Sequence, residues 1–345
     1  MSLDNAQIAE LLALRADELE GDRQRAYRRA SRAAYKWPEE AADLVDEERP
    51  LTDLTGIGAK LSGLIRSWLG DPPDVPEPPP IRSGFRSFAE ARRIVADHRD
   101  WADELRGDLQ MHSEDSDGKV PISEMARTAI DSGYSYIAIT DHSKGLKIAG
   151  GMDEAGFAAQ AARVDALNDE LSARGAGLRV LKAIEMNLSP DGTGDMEPDF
   201  LAGLDLVLGS FHSQLRRKED QTDRYLAALD NSSVDVLGHP RCRIYNFRVG
   251  LLADWRAVCE AAAETGTALE IDAFPDRQDL NVELLELARE AGCWISMGTD
   301  AHTPGEMQYL PVGLAAAISA GIPKDRILNF MTADELAAWV AQRRG

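Results

Sequence analysis

Histidine and carboxylate side chains recur at matching places along this chain. Five of the six histidines lie at or shortly after the ends of short apolar segments; they are His112, His142, His212, His239 and His302. Three carboxylates accompany them: Asp117, Glu185 and Asp300. Imidazoles and carboxylates together suit Zn²⁺, Mn²⁺ or Fe²⁺, and a carboxylate that bridges two such ions is a common arrangement for phosphoester hydrolysis. A single histidine at a strand end is more often structural, but five of them predict a metal centre.

An α/β barrel would bring these side chains together. Apolar segments rich in β-branched residues predict seven strands, near Leu105–Met111, Tyr134–Thr140, Leu178–Met186, Leu204–Phe211, Val234–Gly238, Ala268–Ala273 and Trp294–Gly298. Helical patterns lie between most of them, including Ser123–Ser132, Met152–Arg174, Asp220–Asp230, Ala253–Thr265 and Val282–Ala291. This alternation favours a parallel sheet, and at this length a closed barrel. The histidines would then meet at the carboxyl ends of the strands, where barrel enzymes have their active sites.

A proline-rich segment divides the chain. Six of the ten residues from Asp71 to Pro80 are prolines, a composition that excludes a helix or a central strand and predicts an extended spacer. Before it, apolar residues from Leu3 to Leu19 fall at helical spacing. We therefore predict a helical domain at residues 1–70, a linker with a connecting helix at 71–104, and the barrel domain at 105–345.

Two features of the first part suit a phosphate ligand. Six basic residues and no acidic one lie in a helix predicted from about Arg23 to Trp37; they are Arg23, Arg25, Arg28, Arg29, Arg32 and Lys36. Alone, such a run is more often a solvated helix face. The Gly56-Ile57-Gly58 turn leads into a second helix and would present backbone N–H groups at its positive end, although a tight helix connection also requires glycines.

Taken together, these features resemble the small N-terminal domain with which family-X DNA polymerases bind DNA ends. The resemblance covers residues 8–70, and Leu54 to Lys60 resembles the helix-hairpin-helix of that domain. It implies DNA contacts for Gly56, Gly58, Lys60, Arg28, Arg29 and Arg32. No carboxylate-bearing nucleotidyltransferase segment fits between residues 70 and 105, so we expect no polymerase activity.

Residues 105–340 resemble a PHP (polymerase and histidinol phosphatase) domain. The matching motifs are Gly107–Gly118, Ile139–His142, Ala183–Glu185, Gly209–His212, Gly238–Pro240 and Thr299–His302. The resemblance implies a distorted seven-stranded barrel with two or three divalent metal ions. Asp117, His142 and His302 would hold one ion, and Glu185, His212 and His239 a second. Glu185 would bridge to a third ion that also uses His112 and Asp300. Our candidates for catalysis among these ligands are Glu185, Asp300 and His302.

Gln110 departs from the family's first motif, which usually has two histidines flanking one residue. In this chain the first of those positions is Gln110 and the second is His112. An amide carbonyl is neutral and binds a borderline metal more weakly than imidazole does. We therefore expect Gln110 to be a weak or lost ligand and the third ion to be weakly held or absent.

The expected chemistry is hydrolysis by metal-activated water. Two cations lower the pKa of a bound water, the resulting hydroxide attacks phosphorus in line, and the same ions neutralise the phosphoryl oxygens. Four basic residues near the predicted rim are candidates for binding the phosphate: Lys144, Lys147, Arg243 and Arg277. Each alone is more often a surface charge. Arg277 is the strongest candidate because Glu270–Arg277 is similar to a segment of polymerase-linked PHP domains.

The composition limits the classes of partner. The formal net charge of −21 argues against non-specific nucleic-acid binding, although bound cations attract phosphate locally. No segment approaches the roughly 18 apolar residues that span a bilayer, and the polar first ten residues do not resemble a signal peptide. We expect a cytoplasmic protein with no membrane partner, whose three scattered cysteines stay reduced.

Three functions remain open at this point. The first is a DNA-end-processing hydrolase, a 3′→5′ exonuclease or a 3′-phosphatase. The second is a phosphatase of a small phosphoester such as histidinol phosphate, which accounts for the acidic composition but gives residues 1–70 no role. The third is a non-catalytic scaffold with a residual metal site, supported only by Gln110. We favour the first because it uses both parts of the chain.

Overall fold

The structure is a computed structural model that describes residues 2–345. It divides into two compact units. Unit 1 comprises the residues up to Arg99 together with Ile244–Val249, and unit 2 comprises Asp100–Arg243 and Gly250–Gly345. Residue 1, with which the predicted helical domain begins, lies outside the described residues.

Unit 1 is helical, as predicted. Its helices are α1 (Asn5–Asp17), α2 (Gly21–Ala34), α3 (Ala41–Asp46), α4 (Ala59–Gly70) and α5 (Phe88–Asp97). Asp4 begins α1 with a capping box, in which its carboxylate accepts from the backbone N–H of Gln7. Ile8 and Leu12 of α1 are fully buried in one cluster with Ala30 of α2. The helical spacing of the apolar residues therefore produces a small core.

The segment that follows the prolines belongs to unit 1, whereas the sequence predicted a linker there. The Arg82 side chain is 7% exposed and donates two hydrogen bonds of 2.8 Å to the Glu10 carboxylate. The Phe85 ring lies 6.0 Å from that of Tyr35 and 5.3 Å from that of Tyr245. Contacts between residues so far apart in sequence leave no signature in local spacing, which is why the prediction ended the domain at residue 70.

Unit 2 is a parallel barrel of seven strands in sequential order, which confirms the predicted fold class. The strands are β1 (Gly107–Met111), β2 (Tyr136–Ile139), β3 (Arg179–Leu188), β4 (Leu206–Phe211), β5 (Val236–Leu237), β6 (Ala268–Asp272) and β7 (Ile295–Gly298). The remaining helices are α6 (Arg99–Glu104), α7 (Ile122–Asp131), α8 (Glu154–Ala173), α9 (Pro198–Leu201), α10 (Thr222–Leu229), α11 (Trp255–Thr265), α12 (Val282–Ala291), α13 (Leu310–Ala320) and α14 (Ala333–Arg344).

The barrel closes between β1 and the chain that leaves β7. Met111 pairs with Ala301 in a parallel bridge, and the backbone N–H of His112 donates to the carbonyl of Ala301 at 2.8 Å. Deeper in the barrel, the Thr299 hydroxyl donates to Asp108 at 2.5 Å. Burial raises the pKa of Asp108 to about 7. These contacts place the carboxyl ends of β1 and β7 next to each other. Each of these two strand ends leads to predicted ligands.

Side chains alternate along β1, which is buried on both faces. Leu109 and Met111 lie in apolar clusters, whereas Asp108, Gln110 and His112 occupy the opposite face at steps of two residues. The polar face leads along the strand to its carboxyl end. Among residues 2–345, none of the helices has the length and apolar character needed to cross a bilayer. All three cysteines are buried thiols.

Candidate metal centre and basic groove

The predicted ligands converge at the carboxyl ends of the strands. Ligand atoms lie within 4.8 Å of one another in three overlapping clusters: His112, Asp117, His142 and His302; His142, Glu185 and His212; and His112, Glu185 and Asp300. His239 adjoins the second cluster, because its Nε2 lies 2.7 Å from Oε1 of Glu185. The structure thus brings together all eight histidine and carboxylate ligands that the sequence singled out.

One oxygen of Asp117 is the centre of the first cluster. Its Oδ1 lies 3.2 Å from Nε2 of His302, 3.5 Å from Nε2 of His142 and 3.9 Å from Nδ1 of His112. Ligands held about 2.1 Å from a tetrahedral ion are about 3.4 Å from one another. These separations therefore suit a divalent cation among the side chains. The Asp117 and His302 side chains are 32% and 29% exposed, so this cluster faces solvent.

Glu185, at the middle of β3, links the other two clusters. Its Oε1 lies 3.2 Å from Nε2 of His212 and 2.7 Å from Nε2 of His239. Its Oε2 lies 3.5 Å from Nε2 of His112, which in turn lies 3.0 Å from Oδ1 of Asp300. The two oxygens of one carboxylate thus face two different sets of ligands. This is the arrangement of a carboxylate that bridges two ions.

Buried polar atoms with no hydrogen bond support a fit to cations. Within the described residues, four such atoms lie in these clusters: Nδ1 of His112, Oδ1 of Asp117, Nδ1 of His142 and Oε2 of Glu185. Buried nitrogen and oxygen atoms are normally hydrogen-bonded because leaving them unpaired is costly. Oδ1 of Asp117 and Oε2 of Glu185 each lie 3.0–3.9 Å from ring nitrogens of two or more histidines, a spacing that suits cations between them.

Each imidazole can serve only one cluster as a neutral ligand, because it carries a proton on its other nitrogen. His112 and His142 each belong to two clusters. An assignment of His142 to the Asp117 cluster and of His112 to the Asp300 cluster uses every histidine once. It also leaves His212 and His239 for Glu185, as the family resemblance implies.

Hydrogen bonds orient two of the histidines for metal binding. Nδ1 of His212 lies 3.2 Å from Oδ1 of Asn187, and Nδ1 of His302 lies 2.7 Å from the backbone carbonyl of Asp300. A proton on Nδ1 in each case leaves the Nε2 lone pair facing a carboxylate of the site. Such supporting contacts fix the tautomer of metal-binding histidines.

The electrostatics of the site favour added positive charge. Burial opposes the charge of Glu185, yet His142 and His212 outweigh it and hold the pKa of Glu185 well below its usual range. Burial likewise opposes protonation of His302, but Asp117 and Asp300 raise the pKa of His302 to about 9. The carboxylates therefore stabilise cations here, whether protons on the imidazoles or metal ions.

Asp141 supports the loop that carries Asp117, and the sequence analysis did not assign it a role. Its carboxylate accepts from the Ser113 backbone N–H at 2.8 Å and from the hydroxyls of Ser113 and Ser116 at 2.5 Å each. It also accepts from the Gln160 side chain at 2.6 Å. In the sequence, the position of Asp141 directly before His142 was the only indication that it belongs to the site. A buried acceptor of four hydrogen bonds fixes the path of the loop between two ligands.

Gln110 is buried beneath the site and faces Glu270. With its amide nitrogen oriented toward Glu270, the side chain donates to both carboxylate oxygens of Glu270, at 2.6 and 3.0 Å. Glu270 accepts a further hydrogen bond of 2.6 Å from the backbone N–H of His239. Burial, together with the nearby Asp272, raises the pKa of Glu270 well above its usual range. The amide of Gln110 is therefore engaged in a hydrogen-bond network.

Two ligands have left-handed backbone conformations. His239 has φ +28° and Asp300 has φ +51°. Residues other than glycine adopt the left-handed backbone region at an energetic cost, and residues in that region cluster at functional sites. The hydrogen bond from Asp300 N–H to the Gln110 carbonyl, 3.1 Å long, helps to hold the second of them.

The four candidates for phosphate binding differ in their surroundings. Arg277 is 31% exposed, and although burial opposes its charge, Asp300 and Asp272 raise the pKa of Arg277. Lys144 forms a 2.7 Å ion pair with Glu154. Lys147 is exposed, whereas Arg243 is 3% exposed. The charge of Arg277 is thus stabilised in part by Asp300, a predicted metal ligand.

In unit 1, the basic helix and the glycine turn form one groove. Its volume is about 740 Å³, and it is lined by Arg23, Ala26, Tyr27, Arg29, Arg32, Ala33, Lys36, Thr55, Gly56, Gly58, Ala59, Lys60 and Leu61. The lining holds five cations and no acid. Trp37 fixes the turn by donating to the Thr55 carbonyl at 3.0 Å, and Gly58 begins α4 with no side-chain cap.

Five of the six predicted DNA-binding residues line this groove, and one does not. Gly56, Gly58, Lys60, Arg29 and Arg32 line the groove, but Arg28 does not. Arg28 lies 3.6 Å from Asp17 instead. Gly56 has φ +83°, and a Cβ there would lie 3.2 Å from Cβ of Ala33, so the turn approaches α2 closely.

Comparison with known proteins gives one family match and several relatives. Residues 108–274 match the PHP domain. The chain is 39% identical over 238 residues to the DNA polymerase/3′-5′ exonuclease PolX of Bacillus subtilis, an alignment that covers 69% of this chain and 41% of that protein. It is 29% identical over 219 residues to a protein of Thermoanaerobacter pseudethanolicus named as a probable phosphatase, covering 60% of this chain and 83% of that protein. The chain thus spans less than half the length of the polymerase relative.

Among solved structures, a histidinol phosphate phosphatase from Lactococcus lactis matches with a TM-score of 0.44 and 16% identity. The match covers 61% of this chain and 94% of that one. That protein was crystallised with zinc, L-histidinol and phosphate. A likeness at this level is too low to transfer those ligands to this chain.

Proposed function

From the premise that residues 108–274 are a PHP domain, we propose that this chain is a metal-dependent phosphoesterase that acts on DNA 3′ ends. Its activity is that of a 3′→5′ exonuclease or a 3′-phosphatase. Two or three divalent ions, Zn²⁺, Mn²⁺ or Fe²⁺, are its cofactors. DNA ends are its partner.

A metal-dependent phosphoesterase is the class that the site, the family and the relatives all support. The clustered imidazoles and carboxylates match the ligands of catalytic divalent ions. The relatives carry the names of a 3′-5′ exonuclease and of a phosphatase. Exonucleases and phosphatases both break a phosphoester bond with water, so the class holds for either substrate.

The observation that carries the DNA proposal is the presence of two features in one chain. Unit 2 contains the candidate metal centre, and unit 1 contains a groove with five cations. The overall charge of −21 makes this concentration of cations unusual for the chain. A helix-hairpin turn with open backbone N–H groups beside basic side chains suits a DNA phosphate. A small metabolite would leave the groove without a role.

Two different sets of residues in the site would hold two ions. Asp117, His142 and His302 would hold one ion on the open side, while Glu185, His212 and His239 would hold another on the buried side. Bound divalent ions supply an activated water and neutralise charge on the phosphoryl group. Glu185 is 1% exposed, so water approaches from the Asp117 side.

Arg277 and Asp300 are candidates for contact with the reacting group. The Arg277 guanidinium is partly exposed, and the charge of Asp300 stabilises it. Because guanidinium groups bind phosphate oxygens with two parallel hydrogen bonds, Arg277 can orient the scissile phosphate. Asp300 keeps its carboxylate beside His112 at 3.0 Å.

A second candidate function is hydrolysis of a small phosphoester such as histidinol phosphate. The alignment with the Thermoanaerobacter relative favours it, because 83% of a protein named as a phosphatase aligns with this chain. In this case unit 2 would suffice for activity.

The test is Mn²⁺-dependent hydrolysis of 5′-labelled single-stranded DNA, compared with hydrolysis of histidinol phosphate by the same preparation. We expect a ladder of shortened strands from the native chain and none from His142→Ala, which removes a ligand. DNA that is neither shortened nor stripped of a 3′-phosphate, together with rapid, metal-dependent hydrolysis of histidinol phosphate, would support the second candidate and reject the first.

A further inference from the structure

The loop that follows β4 carries three consecutive cations. Arg216, Arg217 and Lys218 are all exposed, in a chain whose formal net charge is −21. Residues Gln214 to Glu219 border an open concavity of about 730 Å³. The sequence analysis gave this loop no role, and the proposed mechanism does not use it.

The loop begins at the candidate metal centre. His212 directly follows β4, and Arg217 is five residues further along the chain. Five residues span at most about 18 Å even when fully extended. The cations therefore lie at the carboxyl end of the barrel, the end on which loops build substrate sites.

Both ends of the loop are fixed. Arg224 donates to the Ser213 carbonyl at 2.8 Å, and its guanidinium lies 3.9 Å from the centre of the Phe211 ring. At the other end, the backbone N–H of Gln221 donates to the Leu252 carbonyl at 2.8 Å. Between the two anchored ends of the loop, the basic tip, Arg216 to Lys218, is exposed.

Two of the three cations have no ion-pair partner in the described part of the chain. Arg217 and Lys218 form none of the ion pairs found among residues 2–345, although Glu219 and Asp220 follow them in sequence. The charge of Arg217 instead adds to that of Arg224: burial lowers the pKa of Arg224, and nearby Arg217 lowers it further. Unpaired cations crowded together raise the local positive potential, which attracts an anionic partner.

We propose that the loop Gln214–Glu219 binds the phosphodiester backbone of a polynucleotide whose end lies in the metal centre, with Arg217 and Lys218 contacting its phosphates. This inference rests on the proposed function and adds a second contact surface for the same substrate. It assigns the loop to nucleotides away from the scissile bond, not to the reacting phosphate.

The exposure of the loop favours a polymer over a small phosphoester. Sites for small molecules are concave and bury most of the ligand, with a few buried polar groups that fix its orientation. Arg216, Arg217, Lys218 and Glu219 are exposed, so they enclose nothing. A row of exposed cations suits a chain of phosphates, which proteins bind through salt-sensitive contacts along a groove.

The test is the salt dependence of DNA affinity for the full chain carrying Arg217→Gln and Lys218→Gln. Fluorescence anisotropy with a single-stranded oligonucleotide, in Ca²⁺ to suppress hydrolysis, gives the affinity over a range of salt concentrations. Two lost phosphate contacts should lower the slope of log affinity against log salt by about 1.4, since each contact on a single strand contributes roughly 0.7. Metal content and melting temperature report whether the fold is intact.

A matched control separates this contact from net charge. Arg127→Gln with Arg256→Gln also removes two positive charges, from α7 and α11, where both side chains are exposed. The control should keep the native slope. An equal loss of slope in both double variants, or no loss in the loop variant, would overturn the inference.

A failure of the proposed function can be distinguished from a failure of the loop assignment. If the native chain neither binds nor shortens DNA but hydrolyses p-nitrophenyl phosphate, the DNA substrate itself is wrong and this inference falls with it. If the native chain shortens DNA and the loop variant keeps the native slope, the function stands and only the loop assignment fails.

Discussion

The side-chain amide of Gln110 donates to both carboxylate oxygens of Glu270, at 2.6 and 3.0 Å, beneath the candidate metal centre. Glu270 in turn accepts from the backbone N–H of His239, a predicted ligand. The residue that departs from the family's first motif is therefore tied to the backbone of the metal centre. This contact explains how a neutral amide is accommodated where the family usually has an imidazole.

Gln110→His should add one tightly held ion to each chain, because an imidazole is a stronger ligand than an amide. Metal content after exhaustive dialysis, measured by mass spectrometry, would show it. The control is Gln110→Met, which removes the hydrogen bonds to Glu270 without supplying a ligand. It should keep the native metal content and lose about 1–3 kcal/mol of unfolding free energy. An unchanged ion count in Gln110→His would show that Gln110 does not limit the third ion.

Asp141→Asn should weaken metal binding by about 10- to 100-fold, the usual effect of losing a contact that orients a ligand. The change replaces one carboxylate oxygen with an NH₂ group, so residue 141 can no longer accept from the hydroxyls of both Ser113 and Ser116, in the loop that ends at Asp117. Competition with a chelator measures the affinity. Asp165→Asn is the control, because Asp165 is 61% exposed and forms a surface ion pair with Lys182. Equal affinities in the two variants would contradict the assigned role of Asp141.

Metal affinity should rise with pH between about 6 and 9. His302 has a pKa raised to about 9 by Asp117 and Asp300 against the effect of burial. Below that pH a metal must displace its proton, so the affinity should increase roughly tenfold per pH unit for each proton released. Calorimetry in two buffers of different ionisation enthalpy counts the protons. His98→Ala lies outside the clusters and should keep this dependence, whereas a native chain that releases no protons would refute the prediction.

Lys60→Gln and Arg29→Gln should each weaken DNA binding and lower its salt slope by about 0.7–0.9, the contribution of one phosphate contact. Both side chains line the groove of unit 1. Arg28→Gln is the informative comparison, because Arg28 precedes Arg29 in sequence but lies outside the groove beside Asp17. Its effect should be clearly smaller. Anisotropy titrations with DNA would measure all three, and equal effects would mean that the groove does not define the contact.

The sequence predicted the barrel well because its signals are local. Each predicted strand segment overlaps an observed strand, although β3 runs two residues past its predicted end, to Leu188, and β5 is only Val236–Leu237. The histidines at the strand ends meet in space because parallel strands share one carboxyl end. The helix α13 escaped prediction. It is apolar nearly all round and mostly buried, so it has no polar face to give a helical period.

Contacts between distant parts of the chain could not be predicted in this way. The two hydrogen bonds from Arg82 to Glu10 join residues 72 positions apart. Tyr245 lies in the sequence of the barrel but belongs to unit 1, where its hydroxyl lies 2.8 Å from that of Ser31. Periodicity reports which face of an element is buried, not which distant residue covers it. For the same reason, Arg28 and Arg29 could not be distinguished from sequence.

The central claim, that the chain processes DNA 3′ ends, is tested most directly with a pair of duplexes that carry the same tail at either the 3′ or the 5′ end. The initial rate of nucleotide removal in Mn²⁺ is measured for the full chain, with His142→Ala as the inactive control. We predict stepwise shortening from the 3′ end of the tailed strand and no removal from the 5′ end. Removal from the 5′ end, or duplexes that are neither shortened nor stripped of a 3′-phosphate alongside active hydrolysis of histidinol phosphate, would contradict the account.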